Sequence, residues 1–344
     1  MISLLVNGVG IVVSLDQKEM GEALRSDYAY FIVPSPAPLS WQITVSSEKN
    51  FSENWWPALR TKRSTIYWSR PGIRRVRFFG DTWVECDFHK KTASIYFNAF
   101  DLGYESLYFT LESILTLELD RKRCHRVHGL GAVIEQRPIA VLGSSGSGKS
   151  SLFAEWFHDP SHQFLGDDLL VTNDSRALAY PVKISFKQMP TEFPADRVRI
   201  FPRYHFGVRY LVDVESLISR FTPEAPWLYL VRLERKKGGE GLLLPAGRLL
   251  TFGWLIRWLV LGLETPQIAE FFLPFSPQFI IEKIGHLFSR VRRAWKISGL
   301  ARGFVFQAPE GKALMAQTLK HALLREWRGK PRPVNSLTHQ HGTP

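Results

Sequence analysis

Apolar and polar residues alternate with a period of two through most of the first hundred positions. The segments 2–6, 10–15, 41–46, 65–69, 74–79, 82–88 and 93–97 each read as a half-buried strand, separated by glycine, proline and polar pairs. Asn7-Gly8 between the first two predicts a tight hairpin. The proline-rich run VPSPAPLS (33–40) predicts a connector. At 104–119 the period changes to that of a helix, with Leu107, Leu111, Ile114, Leu115 and Leu119 on one stripe. From about 120 the order becomes strand, strand, loop, helix, strand. Further strands follow over 200–235, clearest in PWLYLVRLER (226–235), then helices at about 248–263, 278–291 and 311–327.

The pattern predicts a mainly-β N-terminal domain with its linking helix (1–119), an α/β core (120–328) and a disordered basic tail (329–344). A length of 344 residues, 45% of them hydrophobic, can support two cores. Two cysteines, Cys86 and Cys124, give neither a disulfide framework nor a zinc ligand set, so a reducing, cytoplasmic setting is expected. The longest apolar run, 249–263, is short for a bilayer and carries Arg257, so it predicts a buried or interfacial helix and no transmembrane span.

The formal net charge of +12 is clustered, most densely over 59–77, where seven basic side chains meet no acid. Such fields attract an acidic partner or an anionic surface, or serve as a solvated face. No nucleic-acid motif accompanies the charge, so nucleic acid is not the expected partner. Self-association is left open.

The chemistry concentrates between 128 and 168. Gly143-Ser144-Ser145-Gly146-Ser147-Gly148-Lys149-Ser150 matches the Walker A pattern G-x-x-x-x-G-K-[ST] in full, after the apolar strand 138–142 and before a helix opening at Ser151. Glycines in such a loop let successive N–H groups face one anion, and the helix start adds positive potential. A lysine at position 149 can reach the β- and γ-phosphates, and the Ser150 hydroxyl can sit on Mg²⁺. The expected ligands are therefore ATP and Mg²⁺, with Gly143 through Ser151 as the nucleotide-binding residues.

Asp167-Asp168 follows Lys149 by one helix, a turn and a short strand. In a βαβ unit both strands run the same way, so the acids end on the rim that carries the loop. One carboxylate can join the Mg²⁺ shell, and the other can take a proton from an attacking hydroxyl. Upstream, GAVIE (131–135) and PIAVL (138–142) flank Gln136-Arg137, read as a two-residue hairpin turn. That register sets Leu130 opposite Gly143 and His128 near Ser145. An imidazole there can tune a carboxylate or touch a phosphate, and a structural histidine fits the position as well.

The order His128-Gly129, Gly143 to Ser150 and Asp167-Asp168 resembles the HPr kinase/phosphorylase superfamily, P-loop serine kinases related to phosphoenolpyruvate carboxykinase. The resemblance is specific over about 125–175 and weaker to about 235. It implies an HPr kinase/PEP carboxykinase-like core with Asp167 as base on a serine hydroxyl and His128 nearby. It further implies Lys149 and Ser150 on the phosphates and magnesium, and Asp168 supporting the metal or the loop. Ser151 stands where HPr-phosphorylating members usually carry an acid, and Phe206 to Val214 only faintly follows their downstream glycine-rich signature. The divergent relatives, some acting on precursor peptides, are the closer comparison. The expected activity is phosphoryl transfer from ATP to a hydroxyl, by preference serine, on a peptide, protein or small molecule. Arg203 and Arg209 are candidates for a further cation. The alternatives are a nucleotide-binding or ATP-hydrolysing regulator with no acceptor, and a basic adaptor that merely retains the loop.

Overall fold

A computed structural model describes residues 1–35, 40–48, 55–61, 64–70, 72–78, 82–173, 175–203, 207–235, 241–262 and 277–328, the side chains of 202, 203 and 277–280 excepted. The predicted tail, part of the 33–40 connector, Lys62, Arg63 and Phe206 lie outside these residues.

The N-terminal region contains β1 (Ile2–Val6), β2 (Val9–Leu15), α1 (Lys18–Asp27), β3 (Trp41–Ser46), β4 (Pro57–Arg60), β5 (Ser64–Tyr67), β6 (Ile73–Phe78), β7 (Thr82–Asp87) and β8 (Thr92–Tyr96). Its strands form one mixed sheet in the order β1-β2-β3-β8-β7-β6-β5-β4. The Asn7-Gly8 hairpin forms as expected, both residues at positive φ (47° and 82°) between paired Val6 and Val9. Helix α1 and strand β4 were not anticipated. Neither carries a strong local signal, and α1 buries only Met20, Ala23, Leu24 and Asp27.

Helix α2 (Phe100–Arg121) starts and ends beyond the expected 104–119. It is buried on every side rather than along one stripe, and contacts β2, β7, β8 and later strands. It consequently buries Glu105, Glu112, Glu118 and Asp120, whose charges need partners.

The chain continues through β9 (His125–His128), β10 (Leu130–Ile134), β11 (Arg137–Leu142), α3 (Lys149–Phe157), β12 (Gln163–Gly166), β13 (Leu169–Thr172), β14 (Arg176–Leu178) and β15 (Ser185–Phe186). After these come β16 (Val198–Arg203), β17 (Gly207–Val212), β18 (Glu224–Pro226), β19 (Tyr229–Arg235), β20 (Leu242–Ala246), α4 (Arg248–Leu255) with a π turn at Ile256–Val260, α5 (Pro277–Leu300), β21 (Arg302–Ala308) and α6 (Lys312–Trp327). The second region holds a six-stranded sheet β12-β10-β11-β19-β21-β20, a four-stranded sheet β18-β14-β13-β9 and a three-stranded sheet β15-β17-β16. The chain is thus a mixed α/β protein with several sheets.

Strand β11 is buried on both faces, as a central strand covered by helices must be. Ile139 and Val141 pack with α3 and α6, through Leu152, Phe153, Trp156, Leu319 and Leu323. Ala140 and Leu142 pack on the other face with Trp254, Trp258, Ala294 and Ile297. Residues 249–260 of the apolar run are accordingly helical, and Trp254, Leu255, Trp258 and Leu259 are core residues. No helix among the described residues is long and apolar enough to cross a membrane.

The hairpin before the loop corrects the expected register. Glu135 and Gln136, both at positive φ (49° and 62°), form the turn, and Ile134 pairs with Arg137. Leu130 therefore faces Val141 rather than Gly143. Two side chains without the usual asparagine or glycine signal accept the left-handed turn, which moves the pairing. His128 also leaves this hairpin. It belongs to β9, opposite Leu169 of β13.

Two buried ionic networks tie the regions together. Glu112 accepts hydrogen bonds from Tyr28 (2.7 Å) and Tyr180 (3.0 Å), and pairs with the buried Arg126 of β9. Burial pushes the Glu112 carboxyl up, while Arg126 and the two tyrosines pull it down. Asp120 takes Arg290 of α5 in two hydrogen bonds (2.6 and 3.1 Å) and the His125 ring at 2.8 Å, whose other nitrogen meets Ser289 Oγ at 2.9 Å. Ser289, His125 and Asp120 have the order of a hydrolase relay. His125 is fully buried, however, and Asp120 is also claimed by Arg290, so the arrangement fastens α5 to β9.

Glu112→Ala strands Arg126 as a buried charge and is expected to cost about 3–5 kcal/mol in chemical denaturation. A loss under about 1 kcal/mol would show that this network does not hold the two regions together.

Candidate functional site

The site begins where β11 ends. Residues 143–148 turn off the strand, Ser147 N donates to the Ser144 carbonyl (2.9 Å), and α3 starts at Lys149. Gly148 caps that helix at φ 113°, in the left-handed region where a side chain is strained. Gly143 is required for space, since a Cβ there would lie 2.6 Å from Ser147 Oγ and 3.2 Å from the Leu233 carbonyl of neighbouring β19.

Lys149 is only 6% exposed, and its ammonium donates to the carbonyls of Gly143 (2.6 Å) and Ser144 (3.4 Å). Its charge is thereby held at the mouth of the loop. Arg235, at the end of β19, donates from Nε to the Ser147 carbonyl (3.1 Å). Met315 of α6 backs Gly148.

The acidic pair reaches this loop by topology. Strands β11 and β12 each run antiparallel to β10 between them, so they run parallel and end on the same rim. Asp167 follows β12 directly. Ser150 Oγ donates to Asp167 Oδ2 at 3.1 Å, joining the helix start to the acidic pair. Asp167 is 4% exposed, and its Oδ1 is buried with no hydrogen-bond partner among the described residues. Burial and then the charge of Asp168 push its carboxyl up to about 7, opposed by Ser150 and Lys149.

The Asp168 side chain is 55% exposed, and its Oδ1 lies 3.4 Å from Nδ1 of the buried His128. The imidazole therefore reaches the site through β9 and β13, beside a carboxylate, and not through the expected hairpin register. Gly129 N, donating to the Asp168 carbonyl (3.0 Å), fixes that strand end.

These groups line one cleft of about 730 Å³. Of the expected residues, His128, Ser145, Gly146, Gly148, Lys149, Ser150, Ser151, Asp167 and Asp168 face it. Gly143, Ser144 and Ser147 face a smaller cavity of about 440 Å³ on the other flank of the loop, which Ser145 and Gly146 also border. Arg209 lines the main cleft, and the Arg203 side chain lies outside the described residues. Sequence reasoning missed Lys183, Lys187, Arg235 and Lys312, which also face the cleft. No local motif marks them, and only strand pairing and the approach of α6 bring them in.

The donor set suits a small hard cation bound together with phosphate. Among the described residues no three His, Cys, Asp or Glu side chains cluster to hold a metal alone. Mg²⁺ is held by one or two carboxylates with substrate phosphates completing its shell, and the Ser150 hydroxyl and the exposed Asp168 carboxylate in the same cleft fit that requirement.

No protein-family model matches the chain, and no curated protein matches it in sequence. Among solved structures, it is similar to the Hpr(Ser) kinase/phosphatase from Coxiella burnetii. The identity is 12%, the match covers 58% of this chain and 97% of that one, and the TM-score is 0.27. The likeness is slight.

Asp167 makes the ligand-free protein pH-sensitive in a defined direction. Below about pH 4 the acid is protonated in both the folded and the unfolded chain. From there to about pH 7 the folded chain keeps a proton that the unfolded chain has lost, so stability falls as pH rises. Asp167→Asn is expected to match the native protein near pH 4 and to exceed it by roughly 1–4 kcal/mol at pH 8, without magnesium or nucleotide. Denaturation curves at the two pH values check this; an equal gap at both would show that the carboxyl titrates normally.

Proposed function

We propose that the protein is a Mg²⁺- and ATP-dependent P-loop kinase that transfers the γ-phosphoryl group to a hydroxyl, serine by preference. The observation that carries this reading is the juxtaposition of Lys149, Ser150 and the buried Asp167 at one rim of the cleft. The buried Asp167 carboxyl has one oxygen without a hydrogen-bond partner among the described residues, and an acceptor hydroxyl can supply it.

In this reading the backbone N–H groups of the loop and the Lys149 ammonium hold the phosphates. Bound magnesium supplies charge neutralisation at the phosphate oxygens, with Ser150 and Asp168 as the residues that would hold it. Asp167 takes the acceptor proton as the hydroxyl oxygen bonds to the γ-phosphorus. The bond from that phosphorus to the β–γ bridging oxygen breaks, and ADP leaves. A carboxyl pushed up to about 7 is poised for this exchange near neutral pH. Asp168, at the exposed edge and beside His128, orients the rim and favours ionisation at one position of the pair over the other. Lys149 and the loop amides lie where charge collects in the transition state.

Two substitutions separate binding from chemistry. Asp167→Asn is expected to lower phosphoryl transfer by about 10²–10⁴-fold while Mg·ATP affinity stays within about threefold. Lys149→Ala is expected to weaken nucleotide binding itself. Labelled ATP follows both: transfer that survives Asp167→Asn would reject the base, and label released only as free phosphate would favour a hydrolysing regulator.

A further inference from the structure

Helix α5 lies on the protein with its faces reversed. At 3.6 residues per turn, Ile281, Ile284, Leu287, Phe288 and Trp295 share an arc of about 120°, and Glu282, Ser289, Arg290 and Arg293 fall on the other side. A surface helix ordinarily turns its apolar stripe inward and its charges to water. Here the charged arc is the inner one. Glu282 pairs with Arg121 (2.6 Å), Arg290 with Asp120 (2.6 Å) and Ser289 with His125 (2.9 Å), and Arg293 donates to the Arg123 carbonyl (3.2 Å). The apolar arc is left outside, with Ile281 71% and Phe288 69% exposed. Ala294 and Ile297, nearer the C-terminal end, enter the core.

Helix α4 and its π turn extend this face. Leu249, Gly253, Arg257 and Leu261 follow one another at intervals of four, and all are exposed. The opposite side of the same helix, through Trp254, Leu255, Trp258 and Leu259, shares a core with Ala294 and Ile297. The two helices therefore form one layer over the six-stranded sheet and turn outward together. They meet where Trp295 packs edge-on against Phe252, ring centres 5.2 Å apart. A Cβ placed on Gly253, or on Gly285 of α5, would meet no atom within 4 Å, so the layer is open at both points. An exposed apolar patch of this kind marks an interaction site.

The charge on this face has one sign. Arg248, Arg257, Arg292 and Lys296 are exposed. Arg248 sits 4.0 Å from the Trp295 ring centre and Arg257 5.4 Å from that of Trp258, partners that seat a cation without cancelling its charge. Residues 248–262 contain no acid, and the single acid of α5, Glu282, is engaged by Arg121. Glu234, which borders the smaller cavity together with Arg257, is matched by Arg232 (2.8 Å). A second copy of this chain would bring the same four cations to the contact with no acid from these helices to meet them. Cations and a tryptophan bordering an apolar face instead suit anionic headgroups lying over hydrocarbon.

We infer that the outer layer of α4 and α5 is a docking surface for an anionic lipid bilayer. Ile281, Ile284, Phe288 and Leu261 enter the boundary between headgroups and acyl chains, while Arg248, Arg257, Arg292 and Lys296 meet the headgroup anions. The contact is with the membrane surface, since no helix among the described residues is long and apolar enough to cross. The inference goes beyond the phosphotransfer reading and does not depend on it.

The test is co-sedimentation of the full chain with vesicles of phosphatidylcholine alone or mixed with phosphatidylserine. The mixed vesicles are expected to bind at least about tenfold more tightly, a difference that shrinks as salt is added. Two neutral double variants, each checked for an unchanged melting temperature, separate the contributions. Ile284→Gln/Phe288→Gln should weaken binding to the mixed vesicles about tenfold by removing insertion, and Arg292→Gln/Lys296→Gln should reduce the preference for phosphatidylserine. No binding, or equal binding to both vesicles, overturns the inference. So does binding untouched by Ile284→Gln/Phe288→Gln, which would mean that the chain's basic surface adsorbs without this face, or a preference undiminished in Arg292→Gln/Lys296→Gln. Sedimentation equilibrium without lipid covers the remaining occupant. A dimer that Ile284→Gln/Phe288→Gln dissociates would assign the face to a second copy and overturn the inference; an oligomeric state that these substitutions leave unchanged is the result expected.

Discussion

A single 3.1 Å contact, Ser150 Oγ to Asp167 Oδ2, expresses the constraint on which the site depends. The serine opens a helix after a glycine-rich turn, and the acid ends a strand 17 positions on. They meet because β11 and β12 flank β10 and run in the same direction. With the strands so arranged, the loop amides, the lysine ammonium and the acidic pair converge on one rim, β12 reaching it through a register shift against Gly131 and Ala132 of β10. The high proton affinity of Asp167 follows from the same packing, since the rim is closed enough to desolvate it and Asp168 stands beside it.

The rest of the molecule positions this rim from behind. Strand β9 carries His128 at one end and, two residues earlier, Arg126, which is locked to Glu112 of α2. Tyr28 from the N-terminal region and Tyr180 from beyond β14 complete that cluster. Asp120 and Arg290 fasten the far end of α2 to α5 in the same way, holding the Asp120 carboxyl down at about 2. Helix α2 is therefore the shared wall of two regions, which explains why it buries acids that a one-sided amphipathic helix would keep in water. Lys183, resting against Tyr108 of the same helix, extends this continuity to the floor of the cleft.

What could be read from the sequence was local. The loop, its flanking strand and helix, and the acidic pair lie within about 30 residues, and turn chemistry with one crossover fixes their relation. The Asn7-Gly8 hairpin was equally legible, because those residue types favour the turn that forms. The second hairpin was misplaced by one residue because Glu135 and Gln136 take positive φ without any residue-type signal. His128 was placed near the loop by a faulty register, yet it lies in the cleft by a different route, through pairing with β13. The other cations of the cleft were illegible for a further reason. Lys183, Lys187 and Arg209 come to line one cleft where β15 pairs with β17, and nothing near them in the chain separates them from ordinary surface charge. Helix α2 misled through its leucine stripe, since Arg126, Tyr180 and Arg290, which partner its buried acids, lie 14, 68 and 170 positions away in the chain.

The most direct measurement of the central claim is a crystal structure with Mn²⁺ and a non-hydrolysable ATP analogue, the metal located by its anomalous scattering. The account predicts phosphates inside the 143–151 turn. It places the metal within coordination distance of Ser150 Oγ and of one carboxylate of the acidic pair, directly or through one water. Nucleotide bound elsewhere, or a metal remote from both acids, would contradict it.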